Sequence, residues 1–130
     1  MRRPTYTFAL CLTAAAFIAA GALHFVRAAS YERLIPPGFP APRALVLISG
    51  AAEIVGGVGL LIPRTRRLAA WGLIALLIAV FPANVYMAIA PERFADLHIP
   101  TWALWARLPL QALLIAWMWR VSRRGDRRTI

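Results

Sequence analysis

The sequence contains one cysteine and no lysine, and only 5 of its 130 residues are acidic. Cys11 alone can form neither an intramolecular disulfide nor a CxxC pair. This excludes a disulfide framework and a self-contained thiol–disulfide catalyst. Charged residues make up 15% of the chain, where soluble domains carry about 25%. Two histidines without a second cysteine offer no metal-ligand spacing. No nucleophile motif, phosphate loop or dinucleotide fingerprint occurs, so no metal site and no catalytic residue is assigned. Apolar side chains are what is abundant, at 61% of residues with a mean hydropathy of +0.65. That balance excludes disorder and argues against a soluble globule. A chain of this length is one unit, a single membrane domain over residues 1–130.

Four apolar runs approach the roughly 20 residues needed to cross a bilayer. They cover about 6–26, 44–62, 68–90 and 102–119. Backbone groups in lipid must be satisfied internally, and the alternation of a membrane barrel is missing, so each run predicts an α-helix. The expected fold is all-α, a four-transmembrane-helix bundle. Arg2-Arg3 ahead of the first run and Ala20-Gly21-Ala22 near its end resemble a signal peptide. The run continues through Leu23 and Phe25, however, and reads as a retained span. The link after it holds Pro36, Pro37, Pro40 and Pro42 and should be extended, behind an amphipathic turn at Tyr31, Leu34 and Ile35. With residues 91–101 it should cap the outer side.

The arginines set the orientation. Ten lie on one side (positions 2, 3, 64, 66, 67, 120, 123, 124, 127 and 128) and four on the other (27, 33, 43 and 93). By the positive-inside rule both termini are cytoplasmic. The net charge of +10 is thereby explained as topology and contact with anionic lipid, which leaves no basic patch for nucleic acid.

Charged side chains inside a span are costly, at roughly 2.5–3.5 kcal/mol near the centre. Glu53 and Arg107 are therefore informative. Helix rise puts Glu53 about 14 Å below the outer boundary, Arg107 about 8 Å, and Asn84 about 9 Å. Gln111, one turn below Arg107, is level with Glu53, and His24 lies at the mouth. Glu53 and Arg107 are expected to pair, either as structural glue or as part of a site. Ser49, Ala52, Glu53 and Gly56 share a stripe of small residues that marks close helix packing and turns Glu53 inward. Pro82 and Pro109 should free backbone carbonyls, those of Ile78 and Trp105, near the same level. Trp102, Trp105, Trp117 and Trp119 read as interfacial anchors, and Cys11 as an inert packing residue. Together His24, Glu53, Asn84, Arg107 and Gln111 form a candidate ligand pocket open to the outer side, with Phe17 and Phe25 flanking a ring and the proline segment as a lid.

Several of these motifs resemble the DoxX-like family of small bacterial membrane proteins. They are His24-Phe25, Ile35-Pro36 with Pro40, Ser49-Gly50 with Glu53, Gly56-Gly57 and Leu60-Leu61, Phe81-Pro82-Ala83-Asn84, and Arg107-Leu108-Pro109-Leu110-Gln111. The resemblance implies a multi-pass protein of the bacterial inner membrane, an accessory or subunit of a quinone-linked redox system, with a quinone as ligand and a membrane or redox protein as partner. Cys11 cannot supply the cysteine pair that related four-helix oxidoreductases use. Two other readings fit the residues: a binding or transport protein for a small amphipathic molecule, and a structural or assembly partner. Whether the chain is an enzyme stays open at this stage.

Overall fold

The computed structural model describes residues 4–126, all of whose regular structure is helical. The order is α1 (Pro4–Val26), α2 (Ala28–Glu32), α3 (Pro42–Leu61), α4 (Arg66–Ile89), a 3-10 helix (Pro91–Leu97) and α5 (Thr101–Asp126). The four long helices coincide with the four apolar runs. Three of them, α1, α3 and α4, are long and apolar enough to cross a membrane, which points to a membrane location. The fourth, α5, is 26 residues long, but Arg107 and Gln111 within it and Arg120, Arg123 and Arg124 at its end dilute its hydropathy.

The chain packs as a row folded back on itself: α1 against α3, α3 against α4, and α4 against α5. Glycines set the α1–α3 seam. A Cβ on Gly21 would lie 2.5 Å from the Gly50 carbonyl oxygen, and one on Gly57 would lie 2.9 Å from that of Ala14. Such contact is possible only without side chains, the close approach that small residues permit in membranes. Gly56, expected on the same stripe as Glu53, instead receives Leu73 of α4. The small residues of α3 therefore serve two neighbours on two faces.

At the end that carries the termini the core is closed. Leu10, Ala14, Leu60, Leu73, Met118 and Val121, drawn from all four long helices, are buried together. The turn between α3 and α4 is held by Arg66, which donates through Nε to the Leu60 carbonyl at 2.6 Å, and by Thr65, whose hydroxyl donates to the Gly59 carbonyl at 2.9 Å. These satisfy acceptors that a helix C-terminus leaves open. At the opposite end Phe94 of the 3-10 helix packs with Met87, Ala88 and Leu104.

Four expectations need correction. The proline segment is not extended: past α2, which begins the expected amphipathic turn, the chain turns again, with Gly38 at φ 101° and Ala41 at φ 45°. Pro42 begins α3, because its missing N–H is no loss in a first turn. The last helix runs past Trp119 to Asp126. Cys11 is exposed rather than packed. Trp102, Trp105 and Trp119 lie on the surface, but Trp117 turns inward and donates its indole N–H to the Thr13 hydroxyl at 3.0 Å. Arg2, Arg3, Arg127 and Arg128, counted in the orientation argument, lie outside the described residues.

Candidate functional site

Away from the closed core the four long helices separate around a cavity of about 500 Å³. Its walls are mostly apolar. α1 contributes Phe17 and His24, α3 Val46, Ser49 and Glu53, α4 Leu77 and Asn84, and α5 Arg107, Leu110 and Gln111. Side chains reach it at the spacing helices impose: Ser49 and Glu53 are i and i+4, as are Arg107 and Gln111. All five sequence-predicted residues, His24, Glu53, Asn84, Arg107 and Gln111, line this one cavity.

Their pairing differs from expectation. Glu53 and Arg107 form no ion pair; the acid that lines α3 faces His24 of α1, with Oε2 3.4 Å from Nδ1. Arg107 donates through Nη1 to the Met87 sulfur at 3.4 Å. Helix order explains the error. α3 and α5 are not neighbours, since α4 stands between them, and the cavity separates the two charges. Matching depth along two helices says nothing about which helices adjoin.

Asn84 and Gln111 are paired on the α4–α5 wall. The Asn84 side-chain amide donates to the Gln111 side-chain oxygen, and the Gln111 amide donates to the Leu77 carbonyl. That acceptor lies one residue before the Ile78 carbonyl, which Pro82 leaves without its usual amide. Gln111 is buried and its side chain is satisfied, so this wall is finished without a ligand.

The facing wall is not. His24 Nδ1 lies 2.8 Å from the Ala20 carbonyl oxygen, which can only accept, so Nδ1 carries the hydrogen and gives it there. Glu53 Oε2 is left buried with no hydrogen-bond partner. Among the described residues no carboxylate pairs with Arg107.

Tyr31 belongs to the site, although as a residue of the amphipathic turn it had no place in the candidate set. Its ring stacks on His24 with centroids 4.1 Å apart and planes at 26°. Burial, reinforced by the Glu53 charge, pushes its phenol above the ordinary value. The only sequence signal was an aromatic on an apolar turn seven residues after an intramembrane histidine. Tyr31, Leu34 and Ile35 roof the cavity. The expected aromatic pair is half present: Phe17 lines the space, whereas Phe25 is largely exposed and packs near Gly50.

The arrangement suits a ligand with an apolar body and a head that both donates, to Glu53, and accepts, from Arg107. Among the described residues no three of His, Cys, Asp and Glu are grouped as metal ligands would be.

Comparison with known proteins corrects the family. No curated protein and no solved structure matches the chain. A family model does match, over residues 13–122, and it is not the DoxX model but that of a domain of unknown function, DUF8561. The motifs that suggested DoxX are short helix-packing and proline patterns that any small helical membrane protein can carry. The quinone and redox-partner expectations lose their basis with that resemblance. The matched region takes in α3 and α4 whole, most of α1 and α5, and every residue of the cavity named above, and the chain belongs to the DUF8561 family.

Proposed function

We propose that the protein is a four-span membrane protein that binds a small amphipathic molecule in the cavity between its helices. The observation that carries the reading is the unfinished polar wall. Glu53 Oε2 is buried without a partner in a largely apolar cavity to which four helices bring polar groups. An unsatisfied buried acceptor costs about 1–3 kcal/mol. A pocket of this kind, apolar with a few converging polar groups, is the usual form of a small-molecule site between bundle helices.

The α5 helix completes the membrane unit in this reading. Its 26 residues span about 39 Å; Arg107 and Gln111 face the cavity while Trp102, Leu113 and Trp119 are exposed. Arg64, Arg66, Arg67, Arg120, Arg123 and Arg124 gather at the termini end, and by the positive-inside rule that bias supports cytoplasmic termini.

Lipid extraction and mass spectrometry of the purified protein test the binding. The wild type should retain an amphiphile that Glu53→Leu and Arg107→Leu release, while Val55→Ala on the exposed face keeps it. If wild type and both cavity variants carry the same bulk lipid, the polar cluster is packing alone.

A further inference from the structure

The cavity's walls are not equally closed. α1 and α5 complete the ring of helices, but they do not pack against one another along their length. The side-chain contacts that join them among the described residues sit toward the termini end. Trp117 bonds Thr13 at 3.0 Å, the Tyr6 and Trp117 rings lie 5.7 Å apart, and the Arg124 guanidinium lies 4.4 Å over Tyr6. Beyond Thr13 no hydrogen bond or ring contact joins the two helices among the described residues. Leu12 and Leu110 line the cavity and yet are 60% and 56% exposed. Both are therefore accessible where the cavity lies open between the two helices, in the belt where lipid chains would lie. Ala16, one turn beyond Leu12 on α1, lines the cavity, is exposed as well and is too small to bridge the gap.

The roof is built the other way. Tyr31 stacks on His24, Leu34 and Ile35 cover the cavity, and Ala28 is buried beneath. The link is strapped across the top. Arg33 donates through Nη1 and Nη2 to the two oxygens of Asp96 at 2.7 and 2.8 Å, and through Nη2 to the Arg93 carbonyl at 2.9 Å. That bidentate fork ties the link after α1 to the 3-10 helix before α5.

We propose that the site is loaded sideways from the bilayer, through the gap between α1 and α5 bounded by Ala16 and Leu110, and not from water through the roof. This rests on the binding reading above and narrows its ligand. The molecule is one that dissolves in the hydrocarbon layer first, with an apolar chain or body that lies in the gap while its head reaches Glu53 and Arg107. An open apolar side wall would be a liability in water and costs nothing in lipid, where chains fill it.

The test uses the full chain in lipid vesicles, with Cys11→Ala and a single new thiol, Ser49→Cys, inside the cavity. N-ethylmaleimide dissolves in both phases and reports whichever route is open. Filling the gap with Ala16→Trp, or with Leu110→Trp from the opposite wall, should slow labelling about tenfold, equivalent to a barrier of about 1.4 kcal/mol. Releasing the strap with Arg33→Ala should leave the rate within about twofold. Acceleration by Arg33→Ala, or indifference to both tryptophans in folded protein, overturns sideways loading and leaves the cavity standing. If the Ser49→Cys thiol never reacts while a Pro37→Cys control on the exposed link does, there is no accessible cavity, and the binding reading fails with the portal.

Discussion

His24 lies 3.4 Å from Glu53 across the α1–α3 seam, yet its Nδ1 hydrogen goes to the Ala20 carbonyl, 2.8 Å away on its own helix. The contact is thus close without being satisfied, and Oε2 of Glu53 remains an orphan acceptor. A structural ion pair would be expected to use the hydrogen it has. Sites that hold a ligand commonly forgo stability in this way.

Glu53→Leu, of similar volume, should therefore stabilise the ligand-free protein by about 1 kcal/mol, since it removes an unsatisfied buried group. The same variant should lose the retained amphiphile. Thermal unfolding in detergent reads the first effect. A loss of more than about 1 kcal/mol would make the carboxylate a packing element after all.

The glycine seam allows a matched comparison. A Cβ on Gly21 would lie 2.5 Å from the Gly50 carbonyl oxygen and 2.7 Å from the Ile54 side chain, and the carbonyl cannot give way without parting α1 from α3. Gly21→Ala should cost about 1–3 kcal/mol, as overpacking does. Gly72 on α4 has nothing within 4 Å of where its Cβ would stand. Gly72→Ala should be neutral or stabilising by up to about 1 kcal/mol, from helix propensity alone. Equal melting temperatures for the two variants would remove the close approach.

Asn84 and Gln111 should behave as a unit. Either residue changed to leucine alone strands the other's polar group or the Leu77 carbonyl, at about 1–3 kcal/mol. The double substitution should cost less than the sum of the singles, because neither amide is left without the other and only the Leu77 carbonyl still loses a donor. Additive losses would mean that the α4–α5 bond does not hold.

Apolar run length marked out the long helices because each is satisfied by its own backbone whatever its neighbours are. Polar residues inside those runs marked the cavity for a related reason: a side chain as costly in lipid as Glu53 turns inward, and Arg107, though exposed, still lines the cavity. The order of helices around the bundle has no such local signature. Depth arithmetic could match Glu53 to Arg107, but only the packing of α4 between α3 and α5 shows that they face each other across a void. Tyr31 was hidden for the same reason. Its partner His24 is met only because the chain breaks at Arg27 and folds α2 back over the bundle. Which glycines touch which helix, Gly57 to α1 and Gly56 to α4, depends on a rotation of tens of degrees that composition does not encode.

The roof strap predicts an acid dependence. The Arg33 guanidinium, through its hydrogen bonds, holds the Asp96 carboxyl down at about 2, from an ordinary 3.8. A depressed carboxylate stabilises the fold above its unfolded value and loses that contribution as pH falls through its folded one. The strap should hold from neutrality down to about pH 4 and loosen between there and about pH 2. Hydrogen exchange over residues 28–35 should rise in that window in the wild type, after correction for the intrinsic rate. In Asp96→Asn it should be raised already at pH 5. A wild-type profile flat down to pH 2 would show that the fork does not secure the roof.

The two charges of the cavity supply the last prediction. They lie on helices that are not adjacent, and each has another contact: His24 for Glu53, and the Met87 sulfur at 3.4 Å for Arg107. In protein stripped of ligand, Glu53→Gln and Arg107→Gln should therefore add, within about 0.3–0.5 kcal/mol, in a double-mutant cycle on unfolding. A direct buried pair would behave otherwise, with a cost of about 3–5 kcal/mol for either single change and partial recovery in the double. Ligand retention should show the opposite pattern. If one head bridges both groups, either substitution alone should release the amphiphile, and the second should have little left to remove. Additivity in stability together with non-additivity in binding would mean that the two residues are joined through what occupies the cavity. Coupling in the stripped protein would mean that they touch, and that the cavity closes over them when it is empty.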